Sequence, residues 1–450
     1  MGLRFVGDPA NLVAASQPKG DKTMRTRREF LKASAGLWLL GPTVLRAAPS
    51  PAPSERVTVG CIGVGGRGRL NMRGLMHYGA QVVAVCDVDQ RNRATALRQV
   101  EAFYAARKGQ TTYRGCLACS DFREVLARED IQAVMIATPD HWHVPIAVAA
   151  ARRGKDLYVE KPLGVSVAEG QALREAVRRH GVVFMHGTEQ RCMAQFRLAC
   201  ELVRNGYLGR LKTVKVACPG GRVGPVCRPE PVPRGLDYEM WLGPAPWKPY
   251  SAARVRPGNW YFISDYAASG FVAGWGIHHM DIVQWALDAD NSGPLEVETQ
   301  AVFPSDGIFD TPVTWEVNYH YAGGIRVNFT DNRKNRQGIR LEGTEGWVHV
   351  TRSSITAEPR SLLTKRLGPN DIRLYRCESD DKNFVECVRT RRPTASPIEA
   401  AHRSTSVCYI AHISMVLGRP LRWDPVAERF VGDEEANRLL TRPHREPWGL

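Results

Sequence analysis

The sequence lacks several patterns that would define its class at once. It has no internal repeat and no block of Lys and Arg interleaved with aromatic residues of the kind that binds nucleic acid. Its apolar N-terminal stretch, 33–45, is too short and too rich in Gly and Pro for a convincing membrane-spanning helix. Cys116 and Cys119 have metal-ligand spacing, but no second pair or nearby histidine completes a zinc site. We therefore expect no metal, and a disulfide at this motif is the favoured alternative.

The composition that remains is ordinary for a globular protein of two domains. The chain has 450 residues, of which 43% are hydrophobic and 24% charged. Its net charge of +15 is partly concentrated at the N-terminus, where residues 1–48 hold 8 basic and 3 acidic side chains. The remaining excess is compatible with a mild attraction to acidic substrates or surfaces, and we expect no nucleic-acid partner.

We interpret residues 1–50 as a leader rather than as part of the fold. Arg27 and Arg28 precede the moderately apolar stretch and then Ala47-Ala48-Pro49, an arrangement similar to a twin-arginine (Tat) export signal. This predicts a periplasmic or exported protein. A basic amphipathic N-terminal helix is the alternative. An uncleaved membrane anchor also stays open, because Arg46 stands at position −3 if Ala48 ends the leader.

A glycine-rich turn between two apolar runs organises the chain that follows. The run 57–62 is typical of a buried strand, and Gly63-Val64-Gly65-Gly66-Arg67-Gly68 comes directly after it. Gly63 permits a tight turn, Gly65 lets the backbone approach a pyrophosphate, and Gly68 lets helix and strand pack closely. The pattern predicts a dinucleotide at the N-terminus of the next helix.

An acidic residue ends the second apolar run, 81–86. Asp87 lies 24 positions after Gly63 and is placed to accept hydrogen bonds from the adenosine ribose hydroxyls. A carboxylate there favours NAD(H) over NADP(H), whose 2′-phosphate it would repel. Arg91 and Arg93 nearby leave NADP(H) possible.

Two patterns of secondary structure divide the rest of the chain. Strand-like and helix-like segments alternate up to residue 188, which predicts an α/β Rossmann domain with a doubly wound parallel sheet over 51–188. Strands dominate afterwards, which predicts an α+β substrate-binding and oligomerisation domain with a large, mostly antiparallel open sheet over 189–425, followed by a tail, 426–450. One face of that sheet is free to form a subunit interface, so we expect a homo-oligomer, a dimer or a tetramer.

Three further motifs follow the glycine turn: Thr138-Pro139 with His141 and His143, Glu160-Lys161-Pro162, and Gly270-Phe-Val-Ala-Gly-Trp-Gly-Ile-His278-His279-Met-Asp281. In this order and spacing, residues 55–425 resemble the Gfo/Idh/MocA oxidoreductases, the glucose–fructose oxidoreductase and inositol dehydrogenase family. The resemblance implies a small-molecule carbohydrate substrate and a nicotinamide cofactor. The expected cofactor-binding residues are Gly63, Gly65, Gly66, Arg67, Gly68, Asp87, Thr138, Pro139, His141, His143, Glu160, Lys161 and Gln190.

The resemblance also implies two catalytic residues. The chemistry needs a base for an alcohol proton while hydride leaves the same carbon. Lys161 follows a predicted strand, where a desolvated ammonium near a bound cation would titrate near neutrality and bond the reacting hydroxyl. His278 falls at the position of the catalytic histidine of the family and is expected to shuttle the proton.

One position departs from the family pattern. Relatives often carry Asp four residues before the catalytic histidine, whereas this chain has Gly274. Asp281 and Asp265 are the nearest residues that could compensate. Gln190 and Arg191 could contact substrate or nicotinamide, and Trp residues could stack on a sugar face. The expected substrate-binding residues are Lys161, Arg191, Trp260, Trp275, His278 and Asp281.

Three functions fit these observations. The first is a NAD(P)-dependent sugar or polyol dehydrogenase with one net hydride transfer. The second is a redox-neutral glycoside hydrolase or lyase in which tightly held NAD is recycled, which suits a compartment where free NAD is scarce. The third is a non-catalytic sugar-binding relative, for which Gly274 is the only support.

Overall fold

The structure, a computed structural model, describes residues 56–449. The expected leader, with its paired arginines and cleavage site, lies outside the described residues. Over residues 56–449 we find no helix with the length and apolar character needed to cross a membrane.

The first part of the fold alternates strands and helices. Its strands are β1 (Thr58–Ile62), β2 (Gln81–Cys86), β3 (Leu117–Cys119), β4 (Ala133–Ile136), β5 (Asp156–Glu160) and β6 (Phe184–Gly187). Its helices are α1 (Gly66–His77), α2 (Gln90–Lys108), α3 (Phe122–Ala127), α4 (Asp140–Ala151) and α5 (Val167–His180).

These six strands are all parallel and lie in the order β3-β2-β1-β4-β5-β6, the order of a doubly wound dinucleotide-binding sheet. Every residue of β4 is buried, because helices cover both faces of the sheet. Local signals set the helix ends as expected from the sequence. Ser166 caps α5 by accepting a hydrogen bond from the Glu169 amide, and Gly181 ends that helix with φ of 61°. The predicted Rossmann sheet is confirmed.

The second part of the fold contains a larger sheet. Its strands are β7 (Leu211–Cys218), β8 (Glu296–Val302), β9 (Thr314–His320), β10 (Arg326–Asp331), β11 (Gly338–Gly343), β12 (Trp347–Val350), β13 (Ile355–Glu358), β14 (Leu421–Asp424) and β15 (Arg429–Phe430). Its helices are α6 (Ala194–Arg204), α7 (Tyr238–Leu242), α8 (Ala252–Val255), α9 (Ser264–Ala267), α10 (Phe271–Gly274), α11 (Ile277–Ala286), α12 (Asp380–Thr390), α13 (Ile398–Leu417) and α14 (Glu434–Arg438). Short 3₁₀ turns occupy Gln190–Cys192, Trp260–Phe262, Ala322–Gly324 and Arg360–Thr364.

This sheet is mixed and mostly antiparallel, in the order β13-β12-β11-β7-β10-β9-β8-β14-β15, and only the β7–β10 pair is parallel. Helices α6, α11 and α13 contact it and bury one face in a common core. On β10, the Asn328 side chain donates hydrogen bonds to Asn318 (2.7 Å) and Glu316 (3.1 Å). The predicted α+β sheet is confirmed, and β15 and α14 lie within the expected tail.

The cysteines pair differently from the expectation. Cys116 and Cys119 are free thiols, whereas Cys192 and Cys377 form a disulfide with their Cα atoms 4.8 Å apart. Sequence spacing suggested the first pair, but pairing depends on which Cα atoms the fold brings close. Within residues 56–449, no group of three His, Cys, Asp or Glu side chains is placed to hold a metal ion.

Reducing the Cys192–Cys377 disulfide should lower the free energy of unfolding by about 2–4 kcal/mol, because it removes a cross-link between residues 185 positions apart. Urea unfolding with and without a thiol reductant measures this. Cys192→Ser should make the protein insensitive to the reductant, while Cys116→Ser should retain the wild-type response. Equal unfolding midpoints in oxidised and reduced wild-type protein would contradict the expectation.

Candidate active site

A cavity of about 720 Å³ runs along the carboxyl ends of the first sheet, where ligands bind in doubly wound folds. Its floor is the glycine turn and the residues after β2, β4 and β5. Its opposite wall comes from the 233–261 segment. The expected site residues that line it are Gly63, Gly65, Gly66, Arg67, Asp87, Thr138, Pro139, Glu160, His143, Lys161 and Trp260.

The glycine turn is shaped by close backbone contacts on one side and open space on the other. Gly63 has φ of 79°, and a Cβ there would lie 2.7 Å from the Ala137 backbone. A Cβ on Gly68 would lie 1.9 Å from the Gly63 carbonyl oxygen. By contrast, a Cβ on Gly66 would meet nothing within 4 Å. The tight glycines thus support the turn, and the open one faces free space.

Helix α1 begins at this turn without a side-chain cap. Its N-cap is Gly65, and its first turn carries no acidic residue. Backbone N–H groups at such an end are free to donate to an anion, and the helix dipole adds positive potential. The observed local geometry therefore fits a pyrophosphate at this end of the cavity.

Asp87 lies at the end of β2 and lines the same cavity. It is partly buried, and its Oδ1 accepts a hydrogen bond from the Asp89 amide at 2.9 Å. Burial raises the pKa of the Asp87 carboxyl to about 6. At neutral pH it remains an ionised acceptor. Arg91 forms an ion pair with Asp89 (2.7 Å), and Arg93 donates to the Asp87 carbonyl oxygen, so both arginines are already engaged.

Lys161 is placed at the end of β5 by the same sheet geometry. Its side chain is buried, and Nζ donates a hydrogen bond to the Gly274 carbonyl oxygen at 2.7 Å. Burial lowers the pKa of Lys161, but Tyr261, Glu160 and Asp140 outweigh it, and the net pKa is raised above its ordinary value. The expected near-neutral lysine is therefore corrected, because three acidic side chains face the ammonium.

Glu160 precedes Lys161 and is held on the opposite side of the strand end. Asn71 of α1 donates to its Oε1 at 2.8 Å, and Arg67 of the glycine turn lies 3.8 Å from the same oxygen. Burial raises the pKa of the Glu160 carboxyl. Glu160 thus couples the glycine turn to the strand that carries Lys161.

His278 lies at the start of α11, buried and outside the lining of the main cavity. Its Nδ1 lies 2.8 Å from the Thr188 carbonyl oxygen, which can only accept, so Nδ1 carries the proton in a neutral ring. Burial, with the nearby Lys161 and Arg352 charges, lowers the pKa of His278 well below its ordinary value. The ring is therefore neutral near pH 7, with Nε2 as its proton acceptor.

The two histidines after Thr138-Pro139 bond backbone carbonyls. Nδ1 of His143 lies 2.8 Å from the Pro162 carbonyl oxygen and Nε2 lies 2.8 Å from the Thr138 carbonyl oxygen, and the neutral ring donates its one N–H to one of them. His141 bonds the Trp241 carbonyl at 3.0 Å and does not line the main cavity. Burial lowers the pKa of each imidazole to about 4, so both are neutral supports of the cavity wall.

Arg191 and Asp281 do not face the cavity, which corrects the expectation that they contact substrate. They form a buried ion pair with Nη2–Oδ1 and Nε–Oδ2 distances of 2.8 and 2.9 Å, and Asp290 also pairs with Arg191 at 2.7 Å. Thr188 and Ser404 donate to the remaining positions of the Asp281 carboxylate. Both groups are therefore committed to partners within the protein.

Three other expected residues also lie away from the main cavity. The Gln190 amide is buried against Nδ1 of His279 at 3.1 Å. Trp275 packs on His279, with ring centroids 4.8 Å apart. Asp265 lies 4.0 Å from Lys248 and does not reach the Lys161 surroundings. Neither Asp265 nor Asp281 therefore compensates for Gly274.

The expectation missed most of the aromatic wall. Tyr261 lines the cavity beside Lys161 and stacks on Trp260, with ring centroids 3.8 Å apart. Trp241 and Tyr250 also line it. The aromatic-rich 219–266 segment was the available signal, but it has no periodicity that tells which rings face inward.

Several proteins are similar to this chain. An α-N-acetylgalactosaminidase of Shewanella oneidensis is 32% identical over 214 residues, which cover 41% of this chain and 44% of that protein. Levoglucosan dehydrogenase of Pseudarthrobacter phenanthrenivorans is 29% identical over 168 residues, 37% of this chain and 36% of that protein. These matches therefore span less than half of either relative. The solved structure of a levoglucosan dehydrogenase with NADH and levoglucosan has the same fold, with a TM-score of 0.57 and 18% identity over 82% of this chain and 99% of that one.

Two family models match, and together they cover most of the chain. Residues 57–188 match an oxidoreductase family described by its NAD-binding Rossmann fold, and residues 221–450 match the C-terminal alpha/beta domain of the same oxidoreductase family. The second match alone spans half of the chain. On this evidence the protein belongs to the Gfo/Idh/MocA oxidoreductase family and has its NAD-binding domain.

Proposed function

We propose that the protein oxidises a hydroxyl group of a sugar, polyol or glycoside with a nicotinamide cofactor, NAD(H) in preference to NADP(H). The observation that carries the proposal is Lys161. It lies on the wall of the same cavity that has an uncapped helix N-terminus and Asp87, and aromatic rings line the opposite wall. Such walls suit the faces of a carbohydrate ring.

The residues present fit the cofactor. Gly65 and Gly66 with the first turn of α1 would hold the pyrophosphate, and Asp87 would accept from the adenosine ribose hydroxyls. Thr138, Pro139 and Glu160 line the cavity beyond the glycine turn. When bound, the cofactor accepts a hydride from the substrate carbon.

Two side chains, Lys161 and His278, bind the substrate hydroxyl and accept its proton. The raised pKa of Lys161 keeps it an ammonium at neutral pH, so it donates a hydrogen bond to the substrate hydroxyl oxygen rather than acting as the base. His278 does not line the cavity, but its ring is neutral and close enough to Lys161 for that charge to lower its pKa, so Nε2 is the proposed acceptor of the hydroxyl proton. The substrate thus loses one proton to the protein as its carbon loses a hydride.

A second function, redox-neutral cleavage of a glycoside with recycled NAD, is favoured by the similarity to the α-N-acetylgalactosaminidase of Shewanella oneidensis. If the protein is exported, that would favour this function, because free NAD is scarce outside the cytoplasm. We propose export on the basis of the N-terminal sequence. The Cys192–Cys377 disulfide supports it, since such bonds persist in oxidising compartments. We also propose a homo-oligomer through the outer face of the second sheet.

Asp87→Ala should reduce the preference for NAD over NADP by at least about tenfold, because it removes the carboxylate that would repel a 2′-phosphate. In wild type, NAD affinity should also fall as the pH drops below about 6, where Asp87 becomes protonated and stops accepting from two hydroxyls. Titration calorimetry across pH measures both. Asp130→Ala, a change at an exposed carboxylate, is the control. An unchanged cofactor preference in Asp87→Ala would refute the ribose role.

Lys161→Met should lower kcat by about 10²–10⁴-fold while bound nucleotide is retained, because the reacting oxygen loses its charged donor. Steady-state kinetics and nucleotide content by mass spectrometry measure the two effects. Lys215→Met is the matched control, since Lys215 lies on the second sheet and pairs with Glu342. Full turnover in Lys161→Met would remove Lys161 from the mechanism.

The nucleotide content of protein purified without added cofactor separates the candidate functions. We expect stoichiometric NAD(H) after denaturing release if the cofactor is recycled, together with glycoside turnover that needs no external acceptor. Protein that turns over sugars or polyols only with added NAD is a net dehydrogenase. Protein that binds sugars but neither holds nucleotide nor responds to added NAD would contradict both enzymatic functions.

A further inference from the structure

A tyrosine ring fills the space beside Gly274. A Cβ placed on Gly274 would lie 3.1 Å from Cδ1 and 3.5 Å from Cε1 of the Tyr261 ring. Gly274 ends α10 without a positive φ, so the backbone does not require glycine there. Because of this close approach, a side chain at 274 requires the Tyr261 ring to shift by a few tenths of an ångström.

The same ring contacts the surroundings of Lys161. Nζ of Lys161 lies 5.1 Å from the centroid of the Tyr261 ring and donates to the Gly274 carbonyl. Lys161 and Tyr261 both line the main cavity. Trp260 stacks on Tyr261 and holds its position. The cavity wall therefore carries one cluster that consists of the Lys161 ammonium, the Tyr261 phenol and the Gly274 carbonyl.

Among residues 56–449, the acidic side chains considered for the role of a carboxylate at position 274 have other surroundings. Asp281 is committed to Arg191, and Asp265 lies near Lys248. Asp140 is fully buried, and neither of its carboxyl oxygens has a hydrogen-bond partner. Burial raises the pKa of the Asp140 carboxyl well above its ordinary value and so disfavours its charged form.

We infer that Tyr261 substitutes for the carboxylate missing at position 274 and positions the Lys161 ammonium against the reacting hydroxyl of the substrate. The inference rests on the proposed function and adds a positioning residue to it. The Tyr261 ring lies within cation–π distance of the ammonium, and its hydroxyl is an acceptor that helps to raise the pKa of Lys161, so both stabilise the charged form. Tyr261 does this without placing a second full negative charge beside Glu160.

Several titratable groups face Lys161 and have to be considered with Tyr261 in any pH experiment. They come from four other parts of the fold and comprise Glu160, Asp140, His143, His186 and His278. Burial lowers the pKa of His186 to about 3, and the other two histidines are also neutral near pH 7. The histidines therefore do not titrate above pH 7, and the titrations of Lys161 and Tyr261 are read against the raised pKa values of Glu160 and Asp140.

The test is Tyr261→Phe, which keeps the ring beside Gly274 and removes only the hydroxyl. The Lys161 titration midpoint should fall by about one pH unit, because the ammonium loses an acceptor. It is read in the purified protein from the ¹³C resonance of reductively methylated lysines, with the Lys161 signal identified by its absence in Lys161→Met. The high-pH limb of kcat should move in the same direction. Tyr266→Phe, which removes the hydroxyl of a buried tyrosine outside the cavity lining, should shift neither.

A pair of substitutions at both positions tests whether Tyr261 and residue 274 share one role. Gly274→Asp alone should lower kcat, because the new side chain displaces the Tyr261 ring. In a Tyr261→Ala background the same Gly274→Asp change should raise kcat at least about tenfold, since the carboxylate then takes the vacated space beside Lys161. Opposite effects of one substitution in the two backgrounds are not expected of a purely structural tyrosine.

The outcomes separate this inference from the proposed function. An unmoved Lys161 titration in Tyr261→Phe, or no gain from Gly274→Asp in the Tyr261→Ala background, would overturn the role of Tyr261 while leaving the oxidoreductase proposal intact. If no sugar, polyol or glycoside is turned over by wild type, the proposed function fails. The resonance measurement still decides whether Tyr261 holds the Lys161 charge.

Discussion

The buried ion pair between Arg191 and Asp281 holds the segment after β6 against α11. Both side chains are buried, and removing Arg191 would cost about 3–5 kcal/mol because the Asp281 charge would remain buried without a counter-ion. Asp281 is three residues after His278, and its carboxylate also accepts from Thr188, whose carbonyl sets the tautomer of His278. The ion pair therefore fixes the geometry of the proposed proton acceptor without touching substrate.

The charges around Lys161 explain why we propose Lys161 as the hydrogen-bond donor and His278 as the proton acceptor. A desolvated lysine alone would titrate low, but two carboxyls and a phenol face this one and keep it charged. A permanently charged donor suits the stabilisation of a developing oxyanion and leaves proton acceptance to a neutral histidine. Nζ of Lys161 is held by the carbonyl of Gly274, a residue that lies four positions before His278 in the sequence.

Local sequence was sufficient for the parts of the site that one short segment builds. The glycine turn, the end of β2 and the Glu160-Lys161-Pro162 strand end lie where the pattern predicts, since each follows from strand–turn–helix geometry within about 30 residues. The same reasoning failed for Arg191, Asp281 and Gln190. A charged or amide side chain near a motif can bind either a ligand or another residue of the protein. The partners of these side chains lie some 90 residues away in the sequence, so local patterns do not reveal them.

The amino-acid sequence by itself determined the fold class, the NAD-binding turn and the family, because hydrophobic period, glycine spacing and short motifs are local properties that survive in the linear chain. Only the tertiary structure decided that Cys192 pairs with Cys377, that Arg191 is an internal counter-ion, and that Tyr261 occupies the space beside Gly274. Each of these depends on which distant segments come within a few ångströms of each other. That proximity is set by the packing of the two sheets and their helices rather than by any spacing along the chain.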